Sequence, residues 1–156
     1  MVESELFVNL GRPALEVIAR HGYEKAYGRY DLVFSQGSGA EDFYVLMEGT
    51  VHLAMGDAEE LCFVVNRRGA VFGWSALFEP YRYCATARCM EPARVLVIPR
   101  IAVVEIERDY PRDCVTIYRN LAAIVTQRLC EAYQEVVSEP DLEGAASAAE
   151  GPLGLR

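Results

Sequence analysis

The 156-residue sequence has no apolar run approaching the ~20 residues a membrane-spanning helix needs. Its opening, MVESELFVNL, carries acids where a secretory leader would carry basic residues. No membrane span and no leader are therefore expected, and the sequence reads as that of a cytoplasmic protein. Positive charge is also short, with 15 Lys and Arg against 23 Asp and Glu for a net charge of −8. No basic cluster exceeds Arg67-Arg68, so a phosphate backbone would be repelled and direct nucleic-acid binding is not expected. Cysteine pairs at CxxC spacing are missing. The five cysteines, at 62, 84, 89, 114 and 130, form neither a zinc ribbon nor a disulfide framework, and they read as reduced, buried thiols. Histidine is limited to His21 and His52, too few for the three histidines and a carboxylate, two of the histidines at H-x-H spacing, of a metal-dependent β-roll enzyme. No catalytic residue and no metal site are expected. His21 reads as a helix-end residue complementing the dipole, and His52 as a surface or hairpin residue.

What is present is an ordinary globular balance, 52% hydrophobic and 24% charged, enough for one core. The segment 1–22 is helical: Leu15, Ile18 and Ala19 recur at helical spacing between Pro13 and Gly22. Over 23–99 short β-branched and aromatic runs alternate with turns: Glu24–Tyr27, Leu32–Ser35, Phe43–Met47, Val51–Met55, Leu61–Val65, Cys84–Cys89 and Val95–Ile98. Such a series predicts a sandwich or roll, with Glu48-Gly49 as a tight hairpin between two strands. Over 100–138 the pattern turns helical, first at Ile101–Glu107 and then from Arg112 to about Ser138. At 1.5 Å per residue the second helix would be ~40 Å long. The segment 139–156 is rich in Gly, Ala and Pro and is expected to be a flexible tail, without the residues for a DNA-reading helix-turn-helix.

Along the long helix Val115, Tyr118, Ala122, Val125, Leu129, Ala132 and Val136 alternate spacings of three and four, the seam of a coiled coil. Ile117, Leu121 and Ile124 make a second apolar stripe on an adjacent face. A helix apolar on two faces serves its own domain and a partner together, so a homodimer is expected.

Two motifs carry a family resemblance. Asp42-Phe43-Tyr44-Val45-Leu46-Met47-Glu48-Gly49 is followed by Gly69-Ala70-Val71-Phe72-Gly73 with Ala76-Leu77. With the order of β-roll then two helices from about Tyr23 to Leu129, the chain resembles the cyclic-nucleotide-binding domains of catabolite activator proteins and kinase regulatory subunits. The resemblance implies a mainly β fold with flanking α, a double-stranded β-helix of jelly-roll type ending in a long dimerisation helix. It also implies a phosphate-binding cassette after Phe72-Gly73, in which backbone amides cradle the cyclic phosphate, a glutamate takes the ribose hydroxyl and an arginine pairs with the phosphate.

In this sequence Trp74 stands at the glutamate position. An indole has one N–H donor and no acceptor, so it cannot replace the carboxylate. Matching Ala85-Thr86 to the end of the family pattern puts Tyr83 at the arginine position and Arg82 one residue early. In a strand that slip turns a side chain to the opposite face. Three readings stay open: an altered pocket for a small anionic ligand, an occluded pocket, and cyclic-nucleotide binding despite the changes. The candidate ligand set is Gly73, Trp74, Ser75, Ala76, Leu77, Arg82, Tyr83 and Cys84, although large aromatics in a small roll serve packing more often than binding. The expected function is that of a stand-alone, non-enzymatic regulatory or sensor module with no obligate cofactor, acting on a separate effector protein. The alternative is a ligand-free dimeric interaction protein whose pocket is shut.

Overall fold

The computed structural model describes residues 3–138, and the tail expected over 139–156 lies outside them. Eight strands and three α-helices follow in the order α1 (Arg12–His21), β1 (Tyr23–Tyr27), β2 (Leu32–Phe34), β3 (Asp42–Glu48), β4 (Val51–Met55), β5 (Glu60–Val65), β6 (Val71–Phe72), β7 (Thr86–Cys89), β8 (Ala93–Pro99), α2 (Arg100–Asp109) and α3 (Pro111–Val137). A 3-10 turn (Glu5–Phe7) precedes α1, and a second (Trp74–Leu77) lies between β6 and β7. Two compact units divide the chain after Asn120, inside α3: the first holds the strands, α1, α2 and the start of α3, and the second the rest of α3.

The strands form two four-stranded antiparallel sheets, β1-β8-β3-β6 and β2-β7-β4-β5. In β3, Phe43 to Met47 are all buried, as are Val95 to Ile98 in β8, so these central strands read as continuous apolar runs. The edge strand β1 is exposed along most of its length and carries Glu24 and Lys25, charges that discourage pairing with a further strand. Ala14, Val17 and Ile18 of α1, with Ala102, Val103 and Ile106 of α2, supply the buried stripes of the helices. Arg20 and His21 at the end of α1 both reach Glu105 of α2, at 3.0 and 2.8 Å. The helix-end histidine thus ties two helices together, and these contacts hold the Glu105 carboxyl below its ordinary range, His21 contributing most.

Three expectations change. The stretch Glu48-Gly49 is not a hairpin, because β3 and β4 belong to different sheets. Gly49 makes the crossing at φ 101°, and a Cβ there would lie 2.6 Å from that of Ala93, so only glycine fits. Strand β6 escaped notice because two residues are too short to show a period. The cysteines are all free, but Cys62, Cys84 and Cys130 are exposed, and only Cys89 and Cys114 are buried. Burial, with Asp31 nearby, pushes the Cys89 thiol up to about 11.

Candidate functional site

The segment that the resemblance makes the cassette begins where β6 ends. Strand β6 pairs with β3, placing Phe72 beside Tyr44. The chain then turns through Gly73 at φ 78°, where a Cβ would lie 2.9 Å from Cδ1 of Tyr44 and 3.1 Å from Cε2 of Phe34. A side chain at 73 would strike these rings, so glycine lets the short helix Trp74–Leu77 start hard against them. Ala76 and Leu77 point inward and are buried, while Trp74 and Ser75 are half-buried. The Ser75 hydroxyl lies 3.9 Å from Sγ of Cys84, which is exposed.

The interior beside the cassette is occupied by rings from both sheets. Phe34 of β2 stacks on Tyr83 with centroids 3.7 Å apart and planes 10° from parallel. On its other contacts Phe34 meets Tyr44 at 5.6 Å and Phe72 at 6.2 Å, and Tyr44 stacks on Phe72 at 5.2 Å. Ring contacts of this kind add to the hydrophobic gain of burying each ring. The Tyr83 hydroxyl donates to the Asp42 carbonyl at 2.6 Å, so its polar end is satisfied inside the stack. Burial lifts both phenols above their ordinary range, the neighbouring Tyr83 hydroxyl adding to the Tyr44 shift.

Tyr83 and Arg82 diverge. Loop 36–39 is pinned to this segment by Gly37 N–H to Tyr83 O at 2.7 Å and Tyr83 N–H to Ser38 O at 3.0 Å. Gly39 and Arg82 form an isolated bridge. That extended pairing sends neighbouring side chains to opposite faces: Tyr83 enters the stack, and the exposed Arg82 donates to the Gly37 carbonyl at 3.1 Å. A surface hollow of about 560 Å³ lies between Ser4, Phe7, Leu15 and Arg67, and a smaller one of about 320 Å³ beside Asp42, Arg100 and Val104. Neither is lined by any residue from 73 to 84.

Sequence reasoning missed Phe34, Tyr44 and Arg100. The first two lie in ordinary strand runs, and nothing local marks them as facing the cassette. Arg100 donates to the Ala40 carbonyl at 3.0 Å and the Ala76 carbonyl at 2.9 Å, with its guanidinium 4.1 Å from the centre of the Tyr81 ring. Its signal was a cation at the first residue of a helix, the wrong sign for the dipole. Among the described residues no group of three or more His, Cys, Asp or Glu is placed to hold a metal ion, and no helix is long and apolar enough to cross a membrane.

The buried phenols predict a loss of stability in alkali. A phenol whose folded pKa is raised contributes fully below its unfolded value of about 10, and that contribution is lost as pH rises through the folded value. Tyr44→Phe is expected to lose less stability than the parent chain between pH ~10 and ~12, read by urea denaturation at each pH. An equal loss in both proteins would contradict this assignment.

Two antiparallel sheets, an aromatic interior, a glycine-initiated short helix and trailing α-helices together define a β-roll domain. More particularly, the cyclic nucleotide-binding domain model matches residues 24–110, and the chain belongs to that family. A comparison with curated proteins gives no match. Among solved structures, a protein of Geobacter metallireducens GS-15 named for cyclic-nucleotide binding is 31% identical, with TM-score 0.71, covering 80% of this chain and 91% of its own. The Thermus thermophilus catabolite activator protein is 23% identical with TM-score 0.67, over 85% of this chain and 62% of that one. The sensor domain of the Pseudomonas aeruginosa transcriptional regulator DNR is 22% identical with TM-score 0.64, over 80% and 82%. The last two similarities are those of fold.

Proposed function

We propose that this chain is a cytoplasmic, homodimeric regulatory module whose roll interior is taken by its own aromatic side chains, so that it does not receive cyclic AMP in the family's manner. The Phe34–Tyr83 stack carries this reading, because Tyr83 stands at the arginine position of the resemblance and is buried with its hydroxyl bonded. The rest of the cassette agrees. Trp74 brings no acceptor to the ribose position, and Arg82 is engaged on the loop side. The output surface is α3, where Val115, Val125, Leu129 and Val136 of the predicted seam are exposed and Ile117, Leu121 and Ile124 are buried. A seam spaced for knobs-into-holes packing suits a second copy of the same helix, and the dimer would present itself to a separate effector protein.

Thermal melting of the full chain tests this reading, since a ligand at 100 times its Kd adds about 2.7 kcal/mol to stability. Cyclic AMP and cyclic GMP are expected to leave the melting midpoint unmoved, and an upward shift that saturates would contradict the filled interior. One observation favours the altered-pocket alternative: Trp74 and Ser75 are only half-buried and Cys84 is exposed, leaving an outer edge where the flat ring of an anionic ligand could stack beside the indole. Melting with cyclic dinucleotides addresses that edge, and a saturating shift there alone would favour it.

A further inference from the structure

Arg100 breaks a local rule. As the first residue of α2 it places a cation at the positive end of the helix dipole, where an acid or a polar cap is favoured. Sites where local preference fails are compensated elsewhere, and here the compensation is visible. One guanidinium nitrogen donates to the carbonyl of Ala76, in the cassette helix, and to the carbonyl of Ala40, in the loop before β3. The C-terminal end of a short helix presents unpaired carbonyls, so the cation that is misplaced for α2 is well placed for the cassette.

The same guanidinium lies over the Tyr81 ring. Tyr81 sits at φ 58°, a left-handed conformation that L side chains adopt only under constraint. It is held from three sides: its N–H donates to the Phe78 carbonyl at 2.8 Å, its carbonyl accepts from Ala40 at 2.7 Å, and its ring carries the guanidinium. The backbone N–H of Arg100 also donates to the Glu41 carbonyl at 2.9 Å. Cassette helix, cassette exit, the loop before β3 and the start of α2 thus converge on one side chain.

We infer that Arg100 is an internal clamp, a positioning residue that holds α2 docked on the cassette with a guanidinium of the chain itself. The inference rests on the proposed filled interior, in which no ligand is left to set the position of α2. The clamp fixes one arrangement of cassette and helix, and its release is the step by which an effector would alter what the dimer presents. Arginine is favoured because its flat guanidinium lies over the Tyr81 ring while one of its nitrogens donates to both carbonyls, and a lysine ammonium, which could reach the carbonyls, has no such plane to lay on the ring.

The test is amide hydrogen exchange of the full chain in Arg100→Met, which keeps the aliphatic stem and removes the donors. Exchange is expected to rise about tenfold or more over residues 74–82 and 100–104 while the β4–β5 pair is unchanged, because loss of charge-assisted bonds opens the clamped region locally. Arg100→Lys should fall between the two. A uniform rise across all elements, no rise at all, or full protection in the lysine variant would overturn the clamp. Should Arg100→Met fail to fold, Tyr81→Leu removes the ring face and leaves the donors, and it should give the same local pattern more weakly. Saturable cyclic AMP binding by the parent chain would sink the filled-interior reading while leaving the exchange pattern in place, so the two failures are distinguishable.

Discussion

Tyr83→Ala is expected to cost about 3–5 kcal/mol of stability, the range for removing a large ring from a packed core. The ring is nearly parallel to Phe34 at 3.7 Å, and that pair closes a stack running through Tyr44 to Phe72. Its loss leaves a cavity that the surrounding strands cannot collapse into, because Tyr44, Phe72 and Ala87 are held by sheet pairing. Tyr83→Phe keeps the stack and loses the hydroxyl, with its bond to the Asp42 carbonyl and its contact with the Tyr44 phenol, so it should cost about 1–3 kcal/mol. Restoring the arginine that the family resemblance implies at 83 would place a charge among rings, and Tyr83→Arg should destabilise at least as much as Tyr83→Ala. Urea denaturation of the three variants measures the order. Tyr83→Arg that is as stable as the parent chain would mean that residue 83 has room and solvent, which the stack denies it.

Leu129→Glu is expected to turn a dimer into a monomer. In the proposed seam Leu129 lies at the middle of the exposed stripe between Val125 and Ala132. A carboxylate from each copy would then face the other across an apolar contact, at a cost of several kcal/mol and on the order of a hundredfold or more in dissociation constant. Sedimentation equilibrium reads the change, and the urea midpoint of the variant should lose the dependence on protein concentration that dimerisation gives the parent chain. If the variant remains as dimeric as the parent chain, α3 is not the seam.

How much of this was legible in the sequence depended on periodicity. Strands β3, β4 and β8 and the long helix stood out because their apolar runs are several residues long and bounded by turns. The helix begins at Pro111, one residue before the predicted start, since proline suits a first helical position as well as it ends what precedes it. Strand β7 begins at Thr86, not Cys84, because the backbone at 82 and 83 is already paired with loop 37–39. Short β6 and the crossing at Gly49 depend on contacts distant in sequence, which no local pattern records.

The site was half legible. The motif led to the segment 73–84, where the resemblance sets Trp74 and Tyr83 against a glutamate and an arginine, and the period of two along a strand explains why Arg82 and Tyr83 part company. What could not be read was which ring closes the interior. Trp74 keeps part of its surface exposed while Phe34, Tyr44, Phe72 and Tyr83 make the stack. That depends on Phe34 reaching across from the second sheet, a meeting set by topology.

The most direct measurement uses the single tryptophan, Trp74, which lies in the cassette itself. Its emission is followed while the full chain is titrated with cyclic AMP and cyclic GMP. A self-filled roll predicts no saturable change up to millimolar ligand, whereas a saturable change at micromolar ligand would contradict it.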